Sequence, residues 1–202
     1  VTQAGRIEFA RRGGRINTDA IDNSAGVDSS DREVNIKILL KEAINNETIR
    51  REDRNDLLES MTADVAQLVL QNNYDQTGAL SAWEHSAAAD LDSHERLIEQ
   101  LESSGKLDRD VEGLPSTEDF RALRDSGQGL TRPELAVLMA YAKLDLYARI
   151  VDSDAPDDPA LEFLLRDYFP PALSEMNKAL DSHRLRREII ATRLSNRMVN
   201  LT

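Results

Sequence analysis

The chain has 202 residues, of which 31% are charged and only 4% aromatic. So few aromatic residues argue against a β-sandwich or β-barrel and favour helices packed through aliphatic side chains. The formal net charge of -12 repels phosphate backbones, so we expect no nucleic-acid partner. The absence of cysteine excludes thiol catalysis and fits a cytoplasmic setting. No apolar run approaches the roughly 20 residues that span a membrane, so we expect no membrane partner.

Residues 1–46 form the first of three blocks along the chain. The predicted elements are a helix over 3–12, short extended pieces at 15–17 and 20–22, and a turn over 23–26. Ser30 and Glu33 have the spacing of a capping box, in which a serine hydroxyl caps a helix and a glutamate reaches back. The apolar residues over 34–44 fit helical spacing, although Val34, Ile36 and Ile38 also alternate as in a strand. The capping box favours the helix, so we predict a helix over 34–44 with Ser30 as its N-cap.

The two later blocks have the pattern of helices separated by polar loops. Residues 47–129 hold an apolar stripe over 57–72, a predicted helix over 78–101, a short helix near 117–124 in an acidic stretch, and a linker at 126–129. In residues 130–202, the spacing predicts one helix starting after Thr131, another starting near Asp158, and a last helix from about 174 to 201.

The titratable residues supply no complete catalytic set. The three histidines, His85, His94 and His183, lack the spacing that puts two imidazoles on one helical face, so we predict no metal site. Five arginines cluster in the last helix, and we favour ion pairing with acidic neighbours over an anion site or subunit contact. The five are Arg184, Arg186, Arg187, Arg193 and Arg197.

The most informative stretch runs over residues 22–33, around a turn that contains Asn23 and Gly26. Ser30 follows at the predicted start of a helix, where free backbone N–H groups and the helix dipole favour a bound anion. The alternative is that Ser30 only caps the helix and Asn23 only shapes the turn. Helical periodicity by itself favours this alternative, because capping serines are far commoner than anion-binding ones.

Four stretches resemble the large bacterial NAD-specific glutamate dehydrogenases. They are GRINTDAIDNSAGVDSSDREVNIKILL at 14–40, NNYDQTGALS at 72–81, GLTRPELAVLMAYAKLDLY at 129–147 and HRLRREIIATRLSNRMVN at 183–200. The resemblance implies that the chain is the C-terminal part of such an enzyme. The catalytic lysine, the catalytic aspartate and the dinucleotide fingerprint of the family would then lie upstream of Val1. No catalytic residue is expected within the chain, which should be inactive alone.

The first block also resembles a motif of the small glutamate dehydrogenases, Asn-Ala-Gly-Gly-Val followed by two further residues and then Ser. Asn23, Gly26, Val27 and Ser30 match that motif. The resemblance implies that Asn23 and Gly26 bind the cofactor NAD, with Asn23 at the nicotinamide end. It also implies that the hydroxyl of Ser30 binds the side-chain carboxylate of glutamate.

We therefore predict a mainly α fold in three parts. Residues 1–46 would be the C-terminal remnant of a Rossmann-type α/β domain, 47–129 a helical connecting region, and 130–202 a C-terminal helical domain. The reaction implied by the resemblance is the oxidative deamination of L-glutamate to 2-oxoglutarate and ammonia with NAD, in a homo-oligomeric oxidoreductase. The alternative is a stand-alone acidic helical module that binds a partner protein through the arginine-rich helix or the 135–150 face.

Overall fold

A computed structural model describes residues 1–201, which form helices joined by turns and loops. In chain order the α-helices are α1 Gln3–Arg11, α2 Asp19–Asp22, α3 Ser24–Asn45, α4 Arg54–Ser60, α5 Thr62–Ser86, α6 Leu91–Ser103, α7 Arg109–Glu112, α8 Thr117–Ser126, α9 Arg132–Val151, α10 Glu162–Arg166, α11 Pro171–Ser174, α12 Asn177–Asp181 and α13 Arg186–Leu201. Single 3-10 turns lie at Arg51–Asp53, Ala155–Asp157 and Pro159–Leu161. No strand occurs in residues 1–201, so the predicted mainly α character is confirmed.

Packing divides the chain into two compact units. The first consists of Val1–Asp22, Asp75–Asp145 and the C-terminal end from Val199, and the second consists of Asn23–Tyr74 and Leu146–Met198. The three domains predicted from the sequence do not have the same bounds as these two units. They describe the organisation of a longer parent protein and stay a prediction.

The core of the second unit is built on one face of α3. Ile36, Leu39, Leu40 and Ala43 are buried, and their spacing places them on one stripe of the helix. They pack with side chains from α4 and α10–α13, among them Leu164, Leu165, Tyr168, Phe169, Leu173, Leu180 and Ile190. Each fully buried leucine contributes about 1.5–3 kcal/mol relative to exposure, so this cluster fixes the rotation of α3 about its axis.

A buried arginine organises part of the first unit. Arg132, only 7% exposed, donates from Nε to Oδ1 of Asn17 at 2.6 Å and from Nη1 to Oγ of Ser81 at 3.0 Å. The same Nη1 lies 2.9 Å from a carboxylate oxygen of Glu84. The guanidinium thus ties the start of α9 to α5 and to the loop before α2, with its charge paired as buried charges require.

The extended pieces predicted at 15–17 and 20–22 are wrong. Residues 14–18 form coil and α2 follows at once. Arg6 of α1 holds this segment by donating to the carbonyl of Asn17 at 2.8 Å and to Oδ1 of Asp19 at 3.0 Å. A strand needs a neighbouring strand to accept and donate its backbone hydrogen bonds, and residues 1–201 supply none. The predicted Rossmann-type remnant therefore has no sheet within these residues.

The predicted cap at Ser30 is also wrong. Helix α3 begins at Ser24 with Asn23 at the N-cap position, so Ser30 lies in the second turn and not at the terminus. Glu33 does not reach back to Ser30 but pairs with Lys37, one turn later. A glutamate three residues after a serine need not take part in a cap. Inside a helix, it can instead form an ion pair with a lysine four residues later.

Other predicted helix boundaries have mixed outcomes. The helices predicted near 117–124 and after Thr131 are confirmed as α8 and α9. The single helix predicted over 78–101 is instead the end of α5 and the whole of α6, separated by a turn. The last helix, predicted from about 174 to 201, is instead divided into α12 and α13. His183 lies in the turn between them, where its Nδ1 accepts a hydrogen bond from the backbone N–H of Leu185 at 3.2 Å.

Candidate functional site

The three residues predicted to bind NAD and glutamate lie together in the second unit. Asn23, Gly26 and Ser30 line one open depression of about 500 Å³, together with Val27, Asp31 and Val34. Residues three, four and seven positions apart share a helix face, and these residues follow that spacing along the first three turns of α3. The structure therefore brings the predicted residues onto one exposed face, while their roles stay a prediction.

Contacts with α5 hold the first turns of α3 in place. Ser24 donates a hydrogen bond to Oδ1 of Asn73, and Asn72 donates to a carboxylate oxygen of Asp28 at 3.2 Å. These contacts extend the helix upstream of the predicted start, because they fix residues 24–28 against a neighbouring helix. Ser29 turns its hydroxyl back to the carbonyl of Ala25 at 2.7 Å.

Gly26 keeps the amide of Asn23 accessible. A Cβ at position 26 would lie 3.3 Å from Oδ1 of Asn23, which is closer than ordinary van der Waals contact. Asn23 is exposed and makes no side-chain cap hydrogen bond to the helix, so its amide can donate and accept with a ligand. Ser30 is likewise exposed, and its hydroxyl can donate to an anion.

A buried polar cluster lies behind this face, on the inner side of α3. Arg32, whose side chain is 3% exposed, has Nε 3.2 Å from Oδ1 of Asp28. Its Nη1 donates to the carbonyl oxygen of Tyr168 at 2.6 Å. The hydroxyl of Tyr168 donates to Oδ2 of Asp31 at 2.7 Å and accepts from Nδ2 of Asn35 at 2.9 Å. The sequence offered no local signal for this cluster, since Tyr168 lies more than 130 residues from its partners.

His183 joins the same cluster as a neutral ring. Its Nε2 lies 3.1 Å from the carbonyl oxygen of Asn35, while Nδ1 accepts from the backbone, so the proton sits on Nε2. Burial lowers the pKa of His183 below its ordinary value, and this effect outweighs the hydrogen bond to Asn35. The folded state therefore disfavours the protonated ring.

We expect the chain to lose stability as the pH falls through about 6.5, the ordinary pKa of histidine. Between the lowered folded pKa and the unfolded pKa, the unfolded chain binds more protons, so the free energy of unfolding decreases with decreasing pH. In urea unfolding, the free energy of unfolding should decrease less between pH 7.5 and 5.5 for His183→Gln than for the wild type. The exposed His85 provides the control, and His85→Gln should leave the decrease unchanged. Equal pH dependence in all three proteins would contradict the assignment to His183.

The arginine-rich last helix finds acidic and carbonyl partners, as the favoured interpretation predicted. Arg186 and Arg187 both pair with Asp157, and Arg187 also donates to the carbonyls of Val151 and Ser153 at 3.0 and 2.9 Å. These contacts attach the start of α13 to the segment that follows α9. The ion-pairing interpretation is confirmed for these two arginines.

Within residues 1–201, no group of three or more histidine, aspartate and glutamate side chains could hold a metal ion. Over the same described residues, no helix combines the length and apolar character needed to cross a membrane.

Comparison with known proteins identifies the family. Residues 1–83 match the family model described as bacterial NAD-glutamate dehydrogenase, catalytic domain, and residues 127–202 match glutamate dehydrogenase, C-terminal. The NAD-specific glutamate dehydrogenase of Pseudomonas aeruginosa is 47% identical over 99% of the chain. The chain belongs to the bacterial NAD-specific glutamate dehydrogenase family.

Further glutamate dehydrogenases give the same result. Those of Mycobacterium tuberculosis and Halomonas elongata are 46% and 43% identical, each over 99% of the chain. The chain spans only 12% of the length of these curated relatives. No solved structure matches. The exposed face of α3 falls in the part that matches the glutamate dehydrogenase catalytic domain, whereas Tyr168 and His183 fall in the part that matches the C-terminal family model.

Proposed function

We propose that this chain is part of an enzyme that oxidatively deaminates L-glutamate with NAD, giving 2-oxoglutarate, ammonia and NADH. The observation that carries the proposal is the identity of 43% or more, along 99% of the chain, to three proteins named NAD-specific glutamate dehydrogenase. Since the chain spans 12% of those relatives, we place the acid–base residues outside it. The chain alone is then expected to be inactive.

Within this proposal, Ser30 binds the side-chain carboxylate of glutamate. Its exposed hydroxyl lies in the open depression, and a hydroxyl donating to a carboxylate forms a strong, charge-assisted hydrogen bond. Val27 and Val34 flank Ser30 along the same face and are 69% and 50% exposed. Their side chains can pack against the methylene groups of the substrate, so the face combines one polar anchor with apolar contact.

Asn23 and Gly26 are proposed to hold the nicotinamide end of NAD. A carboxamide both donates and accepts hydrogen bonds, and the accessible amide of Asn23 can satisfy both. Gly26 leaves room beside that amide, because a Cβ there would crowd Oδ1 of Asn23. Bound NAD would supply the acceptor for the hydride of the glutamate α-carbon, and hydrolysis of the oxidised substrate would give 2-oxoglutarate and ammonia. The role of the residues in this chain is to orient the two reactants.

The three predicted parts enter the proposal as domains of the parent enzyme. Residues 1–46 would end a Rossmann-type catalytic domain, 47–129 would connect, and 130–202 would form the C-terminal helical domain of a homo-oligomer. The match of residues 1–83 to the catalytic-domain family and of 127–202 to the C-terminal family supports this order.

The deciding experiment is a structure of the full-length enzyme with L-glutamate and NAD. We expect a side-chain carboxylate oxygen of glutamate at about 2.5–3.0 Å from Oγ of Ser30, the range of O–H···O hydrogen bonds. The nicotinamide carboxamide should lie beside Asn23. Glutamate-dependent formation of NADH by the same preparation establishes that the enzyme is competent. A substrate carboxylate bound away from α3 would contradict the assignment of Ser30.

A further inference from the structure

Asp31 connects the exposed face of α3 to the buried cluster behind it. It follows Ser30 directly and lines the same depression. Its Oδ2 accepts a hydrogen bond from the hydroxyl of Tyr168 at 2.7 Å, and its Oδ1 lies 3.3 Å from Nδ2 of Asn35. Both donors stand on the inner side of the helix, so they draw the carboxylate away from the depression.

Tyr168 is held firmly enough to act as such an anchor. Its side chain is buried, with 5% of the residue exposed, and the guanidinium carbon of Arg32 lies 4.8 Å from the centre of its ring. Phe169 packs edge-on against it at 5.0 Å between ring centres. Burial, and then the hydrogen bond to Asp31, raise the pKa of Tyr168 well above its usual range. The hydroxyl therefore stays protonated and donates.

A free carboxylate beside Ser30 would oppose the substrate. The side chain of glutamate carries a negative charge, and two like charges a few ångströms apart repel each other measurably even near a protein surface. Ser30 provides only a neutral hydroxyl, which cannot offset a second anion. Selectivity for an anionic side chain then depends on where the carboxylate of Asp31 points.

We propose that Tyr168 is a positioning residue of the glutamate site, which keeps the Asp31 carboxylate turned away from Ser30. The proposal rests on the proposed function, because it takes Ser30 as the group that binds the substrate carboxylate. It gives the C-terminal part of the chain a role at a site formed by the catalytic-domain part. Tyr168 touches no substrate and acts only through Asp31.

The test is Tyr168→Phe in the full-length enzyme. The ring and its contacts with Arg32 and Phe169 remain, and only the hydroxyl is lost. We expect the KM for glutamate to rise about 3- to 30-fold. This range corresponds to the repulsion between two like charges when the effective dielectric constant lies between that of water and that of a protein surface. The kcat and the KM for NAD should change little. Higher ionic strength should reduce the KM penalty, because salt screens exposed charges.

Rescue distinguishes positioning from a structural role. Asn at position 31 has no charge, so Asp31→Asn in the Tyr168→Phe background should return the KM for glutamate to near the wild-type value. Tyr141→Phe is the matched control: it removes another tyrosine hydroxyl, one that donates to Glu112 at 2.6 Å, and should leave the KM unchanged. Asp31→Glu is a second test of the same contact, made at an exposed position. The extra methylene group displaces the carboxylate from the hydroxyl of Tyr168, so this variant should also raise the KM for glutamate.

Two outcomes overturn the proposal. One is an unchanged KM for glutamate in both Tyr168→Phe and Asp31→Glu. The other is a raised KM that Asp31→Asn does not restore, which would mean that Tyr168 acts through the fold alone. Failure of the proposed function has a different signature, because Ser30→Ala would then leave glutamate kinetics unchanged whatever Tyr168→Phe does.

Discussion

Ser30→Ala in the full-length enzyme is expected to lower kcat/KM for L-glutamate about 10- to 150-fold. The figure follows from the roughly 1.5–3 kcal/mol that a hydrogen bond to a charged group contributes. The hydroxyl of Ser30 is exposed on α3, so its loss removes no internal contact and should leave the fold intact. The KM for NAD should change little, because Asn23 and Gly26 carry the proposed cofactor contacts. Initial-rate kinetics with each substrate varied in turn measure the two effects separately.

The neighbouring serine is a close control for that experiment. Ser29 is also exposed and is in the same helical turn, but its hydroxyl bonds to the carbonyl of Ala25 and does not line the depression. Ser29→Ala should therefore keep glutamate kinetics within about twofold of the wild type. Equal losses in the two variants would indicate a general effect on α3, and no loss in Ser30→Ala would refute the binding role.

The apolar pattern of α3 was predictable, whereas its start was not. Ile36, Leu40 and Ala43 recur at helical spacing, and the structure buries all three. The start depends on contacts with Asn72 and Asn73 of α5, which lie more than 40 residues away. A local Ser-x-x-Glu pattern contains no information about such partners. The same pattern at Ser30 therefore predicts a cap that the chain does not form.

The candidate site shows the same division between local and distant information. Asn23, Gly26 and Ser30 were placed together by a short motif, and helical spacing is sufficient to put them on one face. Tyr168 and His183 reach α3 from more than 130 residues away, so only the tertiary fold brings them there. Their buried polar groups follow neither the apolar period nor a capping pattern. The sequence therefore predicts the exposed face of the candidate site but not the buried polar cluster behind it.

Gly129→Ala is expected to destabilise the chain by about 2–3 kcal/mol, within the range for overpacked sites. A Cβ at position 129 would lie 2.4 Å from the carbonyl carbon of Ala87 and 2.6 Å from its Cβ and its oxygen. Two of these atoms are backbone, so no side-chain rotation relieves the overlap. The turn after α5 or the segment before α9 must shift instead, which disturbs the buried contacts of Leu130. Urea unfolding of the 202-residue chain, with its midpoint and slope, measures the loss.

Gly78→Ala separates this steric effect from the general effect of adding a methyl group. Gly78 lies inside α5, and a Cβ there would meet nothing within 4 Å. Alanine is preferred over glycine in a helix by roughly 0.5–1 kcal/mol, so this variant should be more stable than the wild type. Opposite signs for the two substitutions would establish that Ala87 and Gly129 are in backbone contact. If Gly129→Ala were also more stable than the wild type, Gly129 and Ala87 would not be in close contact. The linker before α9 would then not be fixed by packing.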